Sequence, residues 1–146
     1  MQHHSWCDQW VSFCLAGEKY AHPVSSIKEV LHFQEPSSVP GATFEVQGIL
    51  NVRGEVLTVI SARRLMNLPE YDLIEASKII SIETCNGVCG IVVDSVEAIV
   101  NFEPSNIELP PNYDVDNIIQ GTINHGGQLL IVANFLPHCE QVAGQM

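Results

Sequence analysis

Apolar and polar residues alternate with a period of two along most of this chain, the pattern of half-buried β-strands. From Trp10, residues Val11, Phe13 and Leu15 fall on one face and Ser12, Cys14 and Ala16 on the other. Gly17-Glu18 can turn the chain, and Lys19 to Val24 return as the partner strand, with Pro23 marking an edge or strand end. Ser25-Ser26 opens a short turn before Ile27 to Phe33, which is apolar at Ile27, Val30, Leu31 and Phe33 and carries Glu29 inside it. Glu29 is either a solvent-facing strand residue or the partner of a nearby arginine. Residues 34–43, QEPSSVPGAT, form a loop. GILNVRGEVLTVI, from Gly48 to Ile60, then reads as a tight hairpin turning at Arg53-Gly54. The positive φ of such turns suits Gly54. Val52 then pairs with Glu55, Asn51 with Val56, Leu50 with Leu57 and Ile49 with Thr58, which leaves Arg53 at the tip of a rigid ribbon. By pattern alone Arg53 is a solvated turn residue or a recognition group.

Ser61 to Leu68, with its two arginines, reads as a short helical turn, and residues 68–72, LPEYD, as a linker. Lys78 to Thr84 is a strand, and Asn86-Gly87 signals a hairpin that pairs Cys85 with Val88 and Thr84 with Cys89. That register sets the two thiols on opposite faces, against both a disulfide and a shared metal site. GIVVD, from Gly90, and Ser95 to Phe102 continue as strands, followed by a proline-rich connection over residues 103–116. Ile118 to Asn124 and Gln128 to Asn134 make the last hairpin around Gly126-Gly127, and the segment after Pro137 is expected to be too short for a substantial helix.

The chain repeats itself. QGILNVRGEVLTVI from Gln47 aligns without gaps with QGTINHGGQLLIVA from Gln120, and SIKEVL from Ser26 echoes SVEAIV from Ser95. Each half reads as hairpin, further strand, long loop, hairpin. Five such strands suffice for a small closed barrel, which removes exposed sheet edges. The expected architecture is therefore all-β with short helical turns. A first barrel over about residues 10–70 and a second over about 71–134 would join near residue 71, with a cleft between them. Residues 1–9 are expected to be frayed, residues 10–138 to form one domain whose last segment returns to the first barrel, and residues 139–146 to be a tail.

Composition narrows the function. Six basic against seventeen acidic residues give a formal charge of −11 in 146 residues, which disfavours nucleic acid and anionic membranes as partners. No stretch approaches the ~18 continuous apolar residues of a membrane span, so direct membrane insertion is not expected. No signal peptide is visible at MQHHSWCDQW, and five scattered cysteines suit a reducing, cytoplasmic setting. His3, His4 and Cys7 lack a fourth ligand and a supporting shell, so no metal site is assigned there, and no cofactor motif is present. The dispersed histidines read as surface or turn residues. A thiol-dependent enzyme would need Cys14 or Cys89 as a reactive thiolate, and the acidic chain works against a lowered thiol pKa. A non-catalytic binding module fits better.

GILNVRGEVLTVISARRL resembles the Gly-x-x-Asn-x-Arg-Gly hairpin of the CheW family of chemotaxis coupling proteins, and GIVVDSVEAIV is similar to that family's Val-Asp-x-Val stretch. The likeness runs from about Trp10 to Leu136. It implies two SH3-like five-stranded β-barrels and an adaptor joining the cytoplasmic tips of chemoreceptors to the regulatory domain of a CheA-type histidine kinase, recruited to membrane-associated receptor arrays. It also implies protein-binding roles for Arg53, Asn51 and Gly54 in the hairpin motif, for Glu29 as the partner of Arg53, and for Ile27 on a receptor-facing groove that Val96 and Ile99 extend. Thr58 stands where the family has proline, and Ser61-Ala62 where it has Asp-Leu. AHPVSSIKEV is also similar to pilus-associated relatives, so an adaptor of a type IV pilus or other chemosensory system is the alternative.

Overall fold

The computed structural model describes residues 8–69, 77–111 and 118–145. The expectations for residues 1–7, with His3, His4 and Cys7, and for residues 70–72 of the linker lie outside these. In chain order come β1 (Gln9–Leu15), β2 (Glu18–Pro23), β3 (Ile27–His32), β4 (Val46–Val52), β5 (Glu55–Ser61), α1 (Ala62–Leu65), β6 (Lys78–Thr84), β7 (Gly87–Val93), β8 (Ser95–Asn101), β9 (Ile119–His125), β10 (Gln128–Ala133) and α2 (Leu136–Gln145). Single 3-10 turns at Val24–Ser26 and Pro104–Asn106 precede β3 and follow β8.

The strands form two five-stranded sheets, in the orders β8-β1-β2-β10-β9 and β3-β6-β7-β5-β4. These are the same order once the halves of the chain are interchanged, with β1 standing for β6, β2 for β7 and so on. Each half therefore lends its first hairpin to the other half's last three strands. The expected division near residue 71 is thereby corrected, because neither sheet is built from one half alone. Parallel pairing makes the exchange: Leu57 to Ser61 of β5 run beside Val88 to Val92 of β7, and Ile131-Val132 of β10 beside Tyr20-Ala21 of β2. A gapless local repeat cannot reveal which copy of a strand a hairpin will join.

Each sheet curls around a small core. In one, Leu50, Val59, Ile79 and Val92 pack with Leu31, Phe33 and Val52; in the other, Trp10, Ala21, Phe102, Ile123, Leu130 and Val132 pack with Val100 and Ile107. The opposite faces meet in a larger core built on Phe13, Leu15, Tyr20, Ile60, Ile80, Ile82, Ile91, Val93 and Phe135. Strands buried on both faces explain why the alternation weakens in β6 and β7. Equivalent glycines let the long loops cross the strands closely. A Cβ on Gly48 would lie 2.1 Å from the Ser37 carbonyl oxygen, and one on Gly121 2.3 Å from that of Glu108. Those loop residues bridge to Ile49 and Thr122.

Three local expectations change. The first hairpin turns at Ala16-Gly17, with Leu15 opposite Glu18. The β6–β7 turn is Cys85-Asn86, so Thr84 pairs with Gly87 and Ile82 with Cys89. The Thr84 hydroxyl fixes that register by donating to the Gly87 carbonyl (2.8 Å) and accepting the Asn86 N–H (3.1 Å). Cys85 is consequently exposed at the turn and Cys89 buried, both as free thiols. Finally, residues 136–145 are a ten-residue helix rather than a tail. The Asn134 Oδ1 accepts the Leu136 N–H at 3.0 Å, Pro137 is tolerated in the first turn, and Cys139 and Val142 are buried. α2 follows β10 and packs on β6 and β7 of the other sheet.

Candidate functional site

The β4–β5 hairpin has the register expected from its sequence, Val52 opposite Glu55 through Ile49 opposite Thr58. Arg53 (φ 50°) and Gly54 (φ 84°) both take left-handed conformations, as two-residue hairpins of matching twist require. The Asn51 Oδ1 accepts the Gly54 N–H at 3.0 Å, so Asn51 holds the turn that presents Arg53.

The Arg53 guanidinium donates to the Glu29 carboxylate, with side chains 67% and 32% exposed. Lys28 bonds Glu55 at 2.6 Å beside it, and that hydrogen bond holds Lys28 above its ordinary pKa. β3 is one edge of its sheet and Arg53 and Glu55 belong to the β4–β5 hairpin at the other end, so these two pairs link the two ends of the sheet. An exposed pair contributes only about 0–1 kcal/mol. Glu29 is positioned by Ser81, which no sequence motif singles out and whose hydroxyl accepts the Glu29 N–H and donates to the Glu29 carbonyl, both at 3.0 Å.

The apolar candidates fall into place through two equivalent irregularities. The register of β3 shifts between Ile27, opposite Ile82, and Glu29, opposite Ser81; that of β8 shifts where Phe13 faces Val96 and Ser12 faces Ala98. Each shift leaves one strand residue unpaired, Lys28 or Glu97, and resets the alternation. Ile27 and Val30 thus share a face although three residues apart, and so do Val96 and Ile99. Ile27 and Val96 are partly buried against the large core. Val30 and Ile99 carry the stripe outward, 39% and 60% exposed. Val30 was not among the sequence candidates, yet the echo of SIKEVL in SVEAIV aligns it with Ile99. Lys19 bonds Glu97 at 2.5 Å, so both unpaired strand residues are charge-paired.

Behind the site lies a buried brace. Arg63 of α1 grips Asp94 through Nε–Oδ1 (2.9 Å) and Nη2–Oδ2 (2.5 Å) and donates to the Pro69 carbonyl. Asp94 also accepts the Ala16 N–H at 2.9 Å, which ties the β1–β2 turn to the other sheet. The aspartate of the Val-Asp-x-Val stretch is therefore architectural. Ser61, standing where the family has aspartate, caps α1 by accepting the Arg64 N–H at 3.2 Å. Thr58 is buried between β4 and β7.

His22 differs from the expectation that the histidines are surface or turn residues. It is fully buried, stacked on Phe135, with Nδ1 facing the Pro23 carbonyl (3.0 Å) and Nε2 accepting the Phe135 N–H (2.9 Å). Burial lowers its pKa to about 4, against a smaller raising by the Pro23 carbonyl. Cys89 is buried and Cys14 half-buried. Among the described residues no cluster of three or more His, Cys, Asp or Glu is placed to hold a metal ion, and no helix is long and apolar enough to cross a membrane.

A turn-mounted ion pair thus stands beside apolar stripes on two edge strands. The model of the CheW-like domain matches residues 9–136. The chemotaxis protein CheW of Bacillus subtilis is 31% identical over 126 residues, covering 84% of this chain and 81% of its own length. PilI of Pseudomonas aeruginosa is 25% identical over 103 residues, covering 69% of this chain and 58% of its own. The crystal structure of the scaffolding protein TtCheW from Thermoanaerobacter tengcongensis superposes with a TM-score of 0.79 at 23% identity, covering 88% of this chain and 90% of that one, a likeness of fold. The chain belongs to the CheW family, and its function is that of a chemotaxis coupling adaptor. The kind of partner follows at the same level, receptors on one side and a CheA kinase on the other.

Proposed function

We propose that the chain binds the cytoplasmic tip of a chemoreceptor along the Ile27–Val30 and Val96–Ile99 stripes, with the Arg53–Glu29 pair at the rim setting partner choice. It couples that receptor to the regulatory domain of a CheA-type kinase within membrane-associated arrays, without catalysis of its own. The observation that carries this reading is the asymmetry of the repeat. Arg53 aligns with Gly126 and Glu29 with Ala98, so both members of the ion pair are missing from the second copy of the same architecture. Gly126 (φ 59°) and Gly127 (φ 80°) make the same kind of turn without a side chain. The fold thus has no need of the pair, which supports a recognition role.

Charge supports the same kind of partner. Lys19, Lys28, Arg53 and Arg63 bond carboxylates, Arg64 lies over Phe44, and Lys78 meets His32. The chain's cations are engaged internally, and its acidic excess suits partners with basic rims. The similarity to PilI favours, as a second reading, the same adaptor chemistry in a pilus-linked chemosensory system.

The test is charge reversal. Arg53→Glu is expected to leave the protein folded and to lower receptor-dependent stimulation of the kinase by about tenfold, since like charges at a rim disfavour a partner by more than 1 kcal/mol. Adding Glu29→Arg is expected to restore it. Full stimulation by Arg53→Glu alone overturns the assignment.

A further inference from the structure

We propose that Cys89 and Cys139 form an oxidisable dithiol whose disulfide fixes helix α2 onto the β6–β7 hairpin. This goes beyond the adaptor reading and does not depend on it.

The two residues come from elements 50 residues apart in the chain and meet in the large core, both fully buried. The Cys89 thiol donates to the Cys139 carbonyl at 3.5 Å. The neighbouring Cys89 thiol, together with burial, pushes the Cys139 thiol up, so the docked Cys139 is held as a protonated, unreactive thiol, while Cys139 lowers the Cys89 thiol beside it. Cys14 and Cys85 differ: one is half-buried in β1 and the other is exposed in a turn.

What gives the pair a trigger is the way α2 is held. Its described side chains bury Cys139 and Val142, with Leu136 partly covered. The polar ties are weak ones: Asn86 Nδ2 to the Glu140 carbonyl at 3.4 Å, and His138 Nε2 facing Glu45 at 3.3 Å. β7, by contrast, is paired on both sides, by β6 and β5. Local opening of α2 is therefore less costly than opening the sheet, and it uncovers both thiols together. Once open, a peroxide can oxidise one thiol to a sulfenic acid, releasing water. The second thiol then attacks that sulfur and releases a second water, so two thiols and one peroxide give one disulfide and two waters. Closing a 50-residue separation restricts the open states far more than the docked one, so the bond locks α2 down. A thiol or dithiol reductant reverses it, as suits a reducing compartment where such bonds are transient.

The experiment treats the whole protein with hydrogen peroxide, in dilute urea that opens α2 without unfolding the sheets. Remaining thiols are then alkylated under denaturing conditions and the unreduced digest is mapped by mass spectrometry. The expected result is a Cys89–Cys139 crosslinked peptide, slowed amide exchange across α2, and a Tm several degrees above that of the reduced protein. Cys139→Ser is expected to abolish the crosslink and the rise. It lies on the helix rather than in the sheet, so it decides the matter even where Cys89→Ser does not fold. Full alkylation of both thiols after peroxide, or a crosslink through Cys14 or Cys85, overturns the pairing. A crosslink with unchanged or lowered Tm overturns the lock.

Discussion

Arg53 occupies a backbone conformation that an arginine enters at a cost. Left-handed φ in a non-glycine residue is unfavourable by roughly 1–2 kcal/mol, and the equivalent turn position in the second copy is Gly126. The Glu29 pair, at this exposure, returns about 0–1 kcal/mol. Stability therefore gives little reason for the arginine. Arg53→Gly is expected to leave the urea midpoint unchanged, the relieved strain being offset by the lost pair and the freer unfolded chain, while receptor binding falls as in the reversal variant. A lowered midpoint with unchanged binding would show that the pair serves the fold instead. At His22 the opposite logic holds, because the side chain is wholly structural. Its neutral ring links the Pro23 carbonyl to the Phe135 N–H, and its pKa falls from an ordinary 6.5 to about 4. A lowered folded pKa means the unfolded chain binds the extra proton first. The contribution is whole above pH 6.5 and is lost as the pH falls toward 4, up to about 3 kcal/mol. Denaturation of the protein and of His22→Gln at pH 7 and pH 4.5 checks this, with the larger acid loss expected in the unsubstituted chain.

At the scale of elements, the hairpins were legible where side chains outside the turn did not intervene. The Arg53-Gly54 and Gly126-Gly127 turns fall where two-residue chemistry puts them. The Asn86-Gly87 signal fails by one residue because the Thr84 hydroxyl holds the turn at Cys85-Asn86, a contact that propensity does not contain. The length of α2 was hidden for a similar reason. LPHCEQVAGQ has little helical pattern of its own, and its order comes from the Asn134 cap and from burying Cys139 and Val142 on a sheet formed elsewhere. For the site, the Arg53–Glu29 pair was readable from hairpin geometry and family likeness. Val30 was available from the repeat, whereas the supporting roles of Ser81 and Asp94 exist only once the strands are paired. The register shifts in β3 and β8 carry a prediction. They alone put residues three apart on one face, so inserting one alanine between Ala98 and Ile99 adds a residue that the shift does not absorb and should turn Ile99 away from the stripe. Receptor binding is expected to weaken by about tenfold with β8 still formed, whereas Glu97→Ala, which removes only the pair with Lys19, should have a small effect. Binding measured by receptor pull-down, with circular dichroism for the strand content, separates the two.

For the whole molecule, the exchange of hairpins matters more than the repeat that revealed it. A tandem pair of barrels would survive being cut between them. Here residues 8–69 hold β1 to β5 but supply only three strands, β3, β4 and β5, to one sheet and two, β1 and β2, to the other. The missing partners of β5 and β2 are β7 and β10, and without them the parallel pairings that join each exchanged hairpin to its sheet are absent. The large core would also be divided, with Phe13, Leu15, Tyr20 and Ile60 on one piece and Ile80, Ile82, Ile91, Val93 and Phe135 on the other. Halving a core of this kind removes far more than the 5–15 kcal/mol by which such domains are stable. Cleavage within residues 70–76 is therefore expected to give two fragments that show no cooperative unfolding alone and no bound receptor. Mixed in equal amounts after denaturation, they should reassemble into a single species with one thermal transition, because the interrupted contacts, strand pairings and the Arg63–Asp94 pair among them, are non-covalent ones that lie away from the cut. A first fragment that folded alone, with dispersed amide resonances and its own transition, would show that the exchange is dispensable and that each half closes on itself. Since the Arg53–Glu29 pair lies wholly within the first fragment while Ile99 and Val96 lie in the second, recovery of receptor binding on mixing also tests whether both stripes are needed at once.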